Sequence, residues 1–321
     1  MKQTKVGLIG CGEWGKYILR DLKLLGCHVT VVSISKKSRA FALENNADSI
    51  VDCVTQLKDI DGVIIATPVT THFSVINQIS CLSVPIFVEK PMTANLAEAE
   101  QLASELSDRL FVMHKWRYHS GIRALAEIAA TKELGKVLGL RTNRMNWGNH
   151  HDDIDMIWTC LPHDLSITIE ILGSIPKPRS AVALEWNNEA IELLCVLGES
   201  PWNVIEISSA RTEVNREIRL ECEEGIAVLK DGYAEQIEIY HKQYWGLDPQ
   251  KHTEQRSFVL EMPLMSELRD FISYLHGGPR PKCDAQEGLA VVRAITELRN
   301  LAAIKHSGIL LNKHLALSQG A

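Results

Sequence analysis

Along the first third of the chain, apolar residues fall in short unbroken runs, separated by stretches where they recur every three or four positions. The runs are "KVGLI" (Lys5–Ile9), "HVTVVSIS" (His28–Ser35), "SIVD" (Ser49–Asp52), "GVIIATP" (Gly62–Pro68), "PIFVEKP" (Pro85–Pro91) and the start of "RLFVMHKWRY" (Arg109–Tyr118). Between them "EWGKYILRDLKLLG", "SRAFALENN", "THFSVINQISC" and "NLAEAEQLASELSD" carry helical spacing, the last with Asn95 as its cap. Continuous apolar strands alternating with helices predict a parallel sheet covered on both faces, that is, a doubly wound α/β domain.

The pattern changes after Tyr118. "GIRALAEIAATKELG" predicts a helix that leads to "KVLGLRTNRMNW", and a second helix lies around "DMIWTCLPHDLSITIEILG". Strand-like stretches follow with little helix between them: "RSAVALEWN", "AIELLCVLG", "NVIEISSAR", "EIRLECEEGIAVLKDG" and "QIEIYHK". "EEG" and "KDG" mark their turns, so a mostly antiparallel sheet is expected. Two further helical stretches, "MSELRDFISYL" and "EGLAVVRAITELRNLAAIKHS", come last. The expected division is residues 1–118 and 119–321.

Composition narrows the partners. A chain of 321 residues has room for two domains. Its 34 basic and 40 acidic residues leave a formal charge of −6 with no block of like charges, which argues against a nucleic acid or an anionic membrane as partner. Eight cysteines are scattered singly without any CxxC, the usage of reduced, mostly buried thiols in a cytoplasmic protein. No apolar run approaches the roughly twenty residues of a membrane span, and "MKQTKVGLIGCG" lacks the apolar core of a signal peptide.

The first chemistry lies between the first strand and the first helix, in Gly10-Cys11-Gly12-Glu13-Trp14-Gly15. A GxGxxG in that context is the dinucleotide fingerprint: Gly10 permits the tight turn, Gly12 the approach of a pyrophosphate, and Gly15 close helix–strand packing. Glu13 and Trp14 share the turn and count with it as cofactor-binding. The helix N-terminus adds free N–H groups and a positive dipole end. An NAD site carries an acid about twenty residues on, against the ribose 2′-hydroxyl. Here that place reads "VVSISKKSRA", without Asp or Glu. Ser33 and Ser35 as hydrogen-bonding groups, with Lys36, Lys37 and Arg39 as cations, favour the 2′-phosphate of NADP, NAD being the alternative. The plainer reading of the same residues is a solvated basic helix start.

Two further stretches carry a family resemblance. "VIIATPVTTHFSV" and "FVEKPMT", combined with the glycine turn, resemble the Gfo/Idh/MocA family of NAD(P)-dependent sugar oxidoreductases, and the likeness continues through "VMHKWRYH", "LPHDLSITIEILG" and "PLMSELRDFISYLHGGPRP". The resemblance implies a Rossmann domain followed by a C-terminal α/β domain with a large open sheet, often associated through that sheet as dimers or tetramers. It implies that Ala66, Thr67, Pro68 and His72 border the cofactor. Lys90 would reach the substrate hydroxyl beside the nicotinamide, Glu89 would bind ribose or orient the lysine, and Pro91 would hold the peptide, often cis. His163 is the second catalytic candidate. Relatives usually place an aspartate four residues before it on the same helix, and here that position is Thr159, which can hydrogen-bond but holds no charge. Arg117 sits where relatives often place a substrate- or interface-facing arginine, and a structural salt bridge is the other reading.

"NHHDDIDM" offers His150, His151, Asp152, Asp153 and Asp155, all ligand types, but neighbouring side chains diverge and no HxxxH fixes a geometry. A polar loop lining the substrate cleft is expected, with no metal. Trp147, Trp158 and Trp116 are placed either to stack on a sugar face or to fill core. Three functions fit: a dehydrogenase or reductase of a sugar, nucleotide sugar or polyol; an NADP-binding sensor without turnover; and a glycosidase in which the cofactor cycles internally. An antiparallel sheet with helices on one face also predicts a homodimer or larger assembly, with Val182, Leu184, Leu194, Ile205 and Ile207 as candidates for its apolar face.

Overall fold

The structure, a computed structural model, describes residues 3–149 and 151–310. The described residues divide into two compact units, one holding 3–115 together with 262–292, the other 116–261 with 293–310.

In the first unit, strands β1 (Lys5–Ile9), β2 (His28–Val32), β3 (Ser49–Val51), β4 (Gly62–Ile65), β5 (Ile86–Glu89) and β6 (Leu110–Met113) alternate with helices α1 (Gly15–Leu24), α2 (Lys36–Glu44), α3 (Val69–Ile79) and α4 (Leu96–Glu105). The sheet order is β3-β2-β1-β4-β5-β6, parallel throughout. Helices cover both faces, so β4 (Val63, Ile64, Ile65) and β6 (Phe111, Val112) are buried on both sides, which is why they read as unbroken apolar runs. Ile18, Leu19 and Leu22 turn one stripe of α1 onto this core. Strand order reverses between β1 and β4, and the crevice outside the carboxyl ends of these strands is where open α/β sheets bind ligands.

The second unit begins with α5 (Ser120–Thr131), β7 (Val137–Trp147) and α6 (Met156–Leu172). Strands β8 (Pro178–Trp186), β9 (Glu189–Leu197), β10 (Trp202–Ser208), β11 (Ala210–Asn215), β12 (Ile218–Cys222), β13 (Gly225–Leu229) and β14 (Gln236–His241) follow, then the single turn α7 (Pro249–His252) and β15 (Thr253–Ser257). Among the described residues the sheet has nine strands in the order β15-β14-β13-β12-β7-β10-β9-β8, with β11 also on β7. Only the β7–β10 pairing is parallel. Ile122, Leu125 and Ile128 of α5 and Ile167 and Ile171 of α6 pack on one face, against Leu140, Leu220, Leu229 and Ile239.

The opposite face shows Val182 at 71%, Leu184 at 54% and Leu194 at 45% exposure. Ile205 and Ile207 do not join them. Register pairs these two with Cys195 and Leu193, all four are buried, and strand alternation therefore places them on the covered face. Trp186 and Val214 are the further exposed apolar groups of β8 and β11.

The chain then makes α8 (Pro263–Leu275) and α9 (Ala285–Leu301). Leu264, Leu268 and Phe271 of α8 belong to the first unit's core, where Phe271 stacks on Phe87. The expected division at residue 118 did not include this return. An amphipathic period declares a buried face, not the partner that buries it. Among the described residues no helix is long and apolar enough to cross a membrane.

Candidate active site

The turn after β1 admits no side chain at two of its glycines. Gly10 has φ +89, and a Cβ there would lie 2.6 Å from the Ala66 carbonyl oxygen; one on Gly15 would lie 2.5 Å from the Gly10 carbonyl oxygen. The turn is therefore packed directly on the end of β4. At Gly12 a Cβ would meet nothing within 4 Å, so the space before the backbone is open. Helix α1 starts after Trp14 with no side-chain cap. Open backbone, two filled glycine positions and an uncapped ten-residue helix fit a dinucleotide pyrophosphate.

The same turn is tied to the end of β5. The Trp14 indole Nε1–H donates to Glu89 Oε1, the Lys90 backbone N–H donates to Glu89 Oε2 at 3.1 Å, and the Lys115 ammonium lies 4.1 Å from the centre of the Trp14 ring. Burial pushes the Glu89 carboxyl above its ordinary value, while the charges of Lys90 and Lys115 and the Trp14 donor oppose it. Lys90 is buried, and the Lys90–Pro91 peptide is cis.

His72 is fully buried, with Nδ1 3.0 Å from the Pro91 carbonyl oxygen and Nε2 3.0 Å from that of Thr67. It was expected among the cofactor contacts. Both ring nitrogens face backbone oxygens, so the ring braces the loop after β4 against the Lys90–Pro91 turn. Thr71 donates to Thr67 Oγ1 at 2.8 Å and stiffens the same loop.

At the end of β2, Arg39 donates to the Ser33 carbonyl at 2.8 Å and pairs with Asp52 at 2.7 Å. Lys37 and Lys16 pair with Glu13 at 2.7 and 2.9 Å, and their hydrogen bonds hold its carboxyl down at about 2. Ser35 caps α2, accepting from the Ser38 N–H, while Ser35 and Lys36 are exposed. Ser38 Oγ in turn accepts the Cys11 N–H at 3.0 Å, linking the start of α2 to the glycine turn.

In the second unit, His163 lies on α6, half-buried, with its ring edge-on to Trp116 at 6.3 Å. Trp116 also stacks with His119 and lies under the Arg144 guanidinium, which donates to Asp164 at 2.7 Å. Thr159, one turn before His163, lies 2.9 Å from both the Asn149 Oδ1 and the Asp155 carbonyl oxygen, so its single hydroxyl proton serves one of them at a time. Arg117 pairs with Glu170 at 2.9 Å. Trp147, at the end of β7, is exposed, whereas Trp116 and Trp158 are buried.

Of the acidic loop, Asp155 caps α6 through the Trp158 N–H and pairs with Arg299 at 2.7 Å; burial raises its carboxyl, and the Arg299 charge opposes the rise. His151 lies 3.7 Å from Asp153. His150 lies outside the described residues. Among those described, no group of three or more His, Cys, Asp or Glu side chains is disposed to hold a metal ion.

The Trp14–Glu89 bond, the Lys115 contact and the Arg144–Asp164 pair were not foreseen, since each joins residues far apart in sequence. A buried acid, Glu267 on α8, was also missed. Its signal was a charge inside the apolar stripe formed by Leu264, Leu268 and Phe271.

Residues 4–114 match the model of the Gfo/Idh/MocA family, described as an oxidoreductase family with an NAD-binding Rossmann fold. The chain is 23% identical over 309 residues to the UDP-N-acetylglucosamine 3-dehydrogenase of Acidithiobacillus ferrooxidans, covering 93% of this chain and 97% of that one. The solved structure of that protein has a TM-score of 0.80 at 22% identity, covering 95% and 99% of the two chains. Levoglucosan dehydrogenase in complex with NADH and levoglucosan has a TM-score of 0.79 at 14% identity, covering 94% and 98%. A 2,7-anhydro-N-acetylneuraminate hydratase of Mediterraneibacter gnavus is 22% identical over 153 residues, 46% of this chain and 41% of that one. At these identities the solved structures establish the shared fold.

Proposed function

We propose that the protein is an NAD(P)-dependent oxidoreductase that moves a hydride between the nicotinamide and a secondary alcohol or ketone of a sugar, nucleotide sugar or polyol. The observation that carries this reading is the tie from the glycine turn to the Lys90 turn through Trp14 and Glu89. It couples the place that fits a pyrophosphate to a buried lysine at the carboxyl end of β5. The dinucleotide, when bound, supplies the hydride acceptor or donor. Gly10, Gly12, Glu13, Trp14 and Gly15, with Ala66, Thr67 and Pro68, form its binding turn.

Lys90 takes or returns the hydroxyl proton and holds the charge developing on the substrate oxygen. Glu89 fixes the backbone of that turn by accepting the Lys90 N–H. His163 is the second proton-handling group, and without the customary acid at Thr159 its ring is oriented less strongly. Ser33, Ser35, Lys36 and Arg39 favour NADP over NAD. A homodimer or larger assembly forms through the exposed face of the second unit's sheet. Thr159 also supports a second reading, a sensor that binds the dinucleotide without turnover.

The deciding experiment is a turnover screen over sugars and nucleotide sugars with NAD and NADP, in both directions. Lys90→Ala should cost about 10²–10⁴-fold on the best substrate, the loss typical of an acid–base group. Wild-type turnover that survives Lys90→Ala unchanged removes the mechanism. No turnover with any substrate moves the weight to the sensor.

A further inference from the structure

Helix α8 runs against the strand direction of the first unit's sheet. Just past its carboxyl end, His276 Nε2 lies 2.6 Å from Oγ1 of Thr4, the residue before β1. Leu275 sits where a Cβ on Gly62, the first residue of β4, would meet it at 2.9 Å. One turn earlier, Phe271 stacks on Phe87 of β5 with ring centres 4.8 Å apart. One turn earlier again, about 5.4 Å along the helix, is Glu267. Two residues beyond Phe87 on the same face of β5, about 6.6 Å along the strand, is Glu89. The helix thus delivers Glu267 to the carboxyl edge of the sheet, level with Glu89.

Glu267 is completely buried, and among the described residues neither of its carboxyl oxygens has a hydrogen-bond partner. Apolar Leu264, Leu268 and Phe271 flank it on the helix. The charged groups that act on it are Glu89 of β5, Lys115 beyond β6, and Asp270 of its own helix. A fully buried carboxyl beside a second carboxyl does not ionise readily, and of the two the one with donors keeps the charge. Glu89 has the Trp14 indole and the Lys90 N–H; Glu267 has none. Burial, then the Glu89 charge, pushes the Glu267 carboxyl well above the usual range.

We infer that Glu267 is a positioning residue for the Lys90 turn: a buried acid that stays neutral, so that Glu89, as the one ionised carboxylate, remains on the Trp14 indole and the Lys90 amide. Ionising Glu267 sets a second negative charge beside Glu89, which then leaves the indole or takes up the proton itself. The inference rests on the proposed dinucleotide site for its bearing on binding, but not for the state of Glu267.

Three measurements on the full chain test it. The infrared difference between wild type and Glu267→Gln at neutral pH should carry the carbonyl stretch of a protonated carboxylic acid. In fluorotryptophan-labelled protein, the Trp14 resonance, assigned by its loss in Trp14→Phe, should shift in wild type as pH rises through the ionisation of Glu267. In Glu267→Gln it should stay in place. NADPH affinity should fall over the same range in wild type only. Glu267→Met, neutral and of similar volume, should repeat these results if the buried amide is poorly tolerated. Absence of the acid band overturns the inference, and so does a Trp14 shift of equal size in wild type and variant. Failure of NADPH to bind at any pH, with the first two results intact, removes the dinucleotide site and leaves the role of Glu267 standing.

Discussion

Cofactor choice turns on whether the cations at the start of α2 are available to a 2′-phosphate. Lys37 and Glu13 are 70% and 67% exposed, and Arg39 and Asp52 are 36% and 73% exposed, so both ion pairs sit in solvent. Exposed pairs of this kind contribute little, and redirecting a cation from one of them costs little. A hydrogen bond to a charged group contributes about 1.5–3 kcal/mol. With Ser33 or Ser35 adding a neutral contact, the net preference for NADP(H) should be about 1–3 kcal/mol, or roughly ten- to a hundredfold in affinity. Ser33→Asp should reverse it. The new carboxylate would accept from the ribose 2′-hydroxyl, repel a phosphate, and compete for Arg39, whose guanidinium already touches the residue 33 carbonyl. The assay is calorimetric titration of both proteins with NADPH and NADH at low ionic strength, where screening is least. Equal or tighter NADH binding by wild type refutes the reasoning, as does a preference that Ser33→Asp leaves unchanged.

Thr159→Asp restores the customary acid one helical turn before His163, and turnover on the best substrate should hold or rise. Thermal unfolding should show a loss of stability, because Thr159 is buried against the Asp155 carbonyl and a carboxylate there faces an acceptor. A fall in turnover at full folding would remove His163 from the mechanism. Light scattering at micromolar protein should give at least a dimer for wild type and a monomer for Leu184→Glu, which sets a charge on the exposed sheet face. A monomeric wild type would overturn the assembly.

The parallel sheet was legible because its central strands are buried on both sides and read as unbroken apolar runs. Strands β11 and β15 were not. "ARTEVN" and "TEQRS" carry almost no apolar residues, and their pairing is supplied by neighbouring backbone rather than by burial. For Ile205 and Ile207, alternation separates the two faces of a strand but does not say which face a helix covers. The glycine turn was readable since only glycine fits at Gly10 and Gly15. The Trp14–Glu89 bond spans 75 residues and has no local signature. The motif led to the loop that holds His72, but the backbone contacts of its ring are set by packing and have no local signature.

The return of residues 262–292 to the first unit has a consequence for how the chain is made. Phe87, Phe111 and Leu22 share their core with Leu264, Leu268 and Phe271. During synthesis, the six strands of the nucleotide sheet leave the ribosome well before the helix that completes their packing. The nascent Rossmann half must therefore wait, with an apolar face open, while the entire second sheet is translated. A gene fragment cut after residue 118 removes that helix for good. It leaves an aggregation-prone patch where the full-length chain has a closed core.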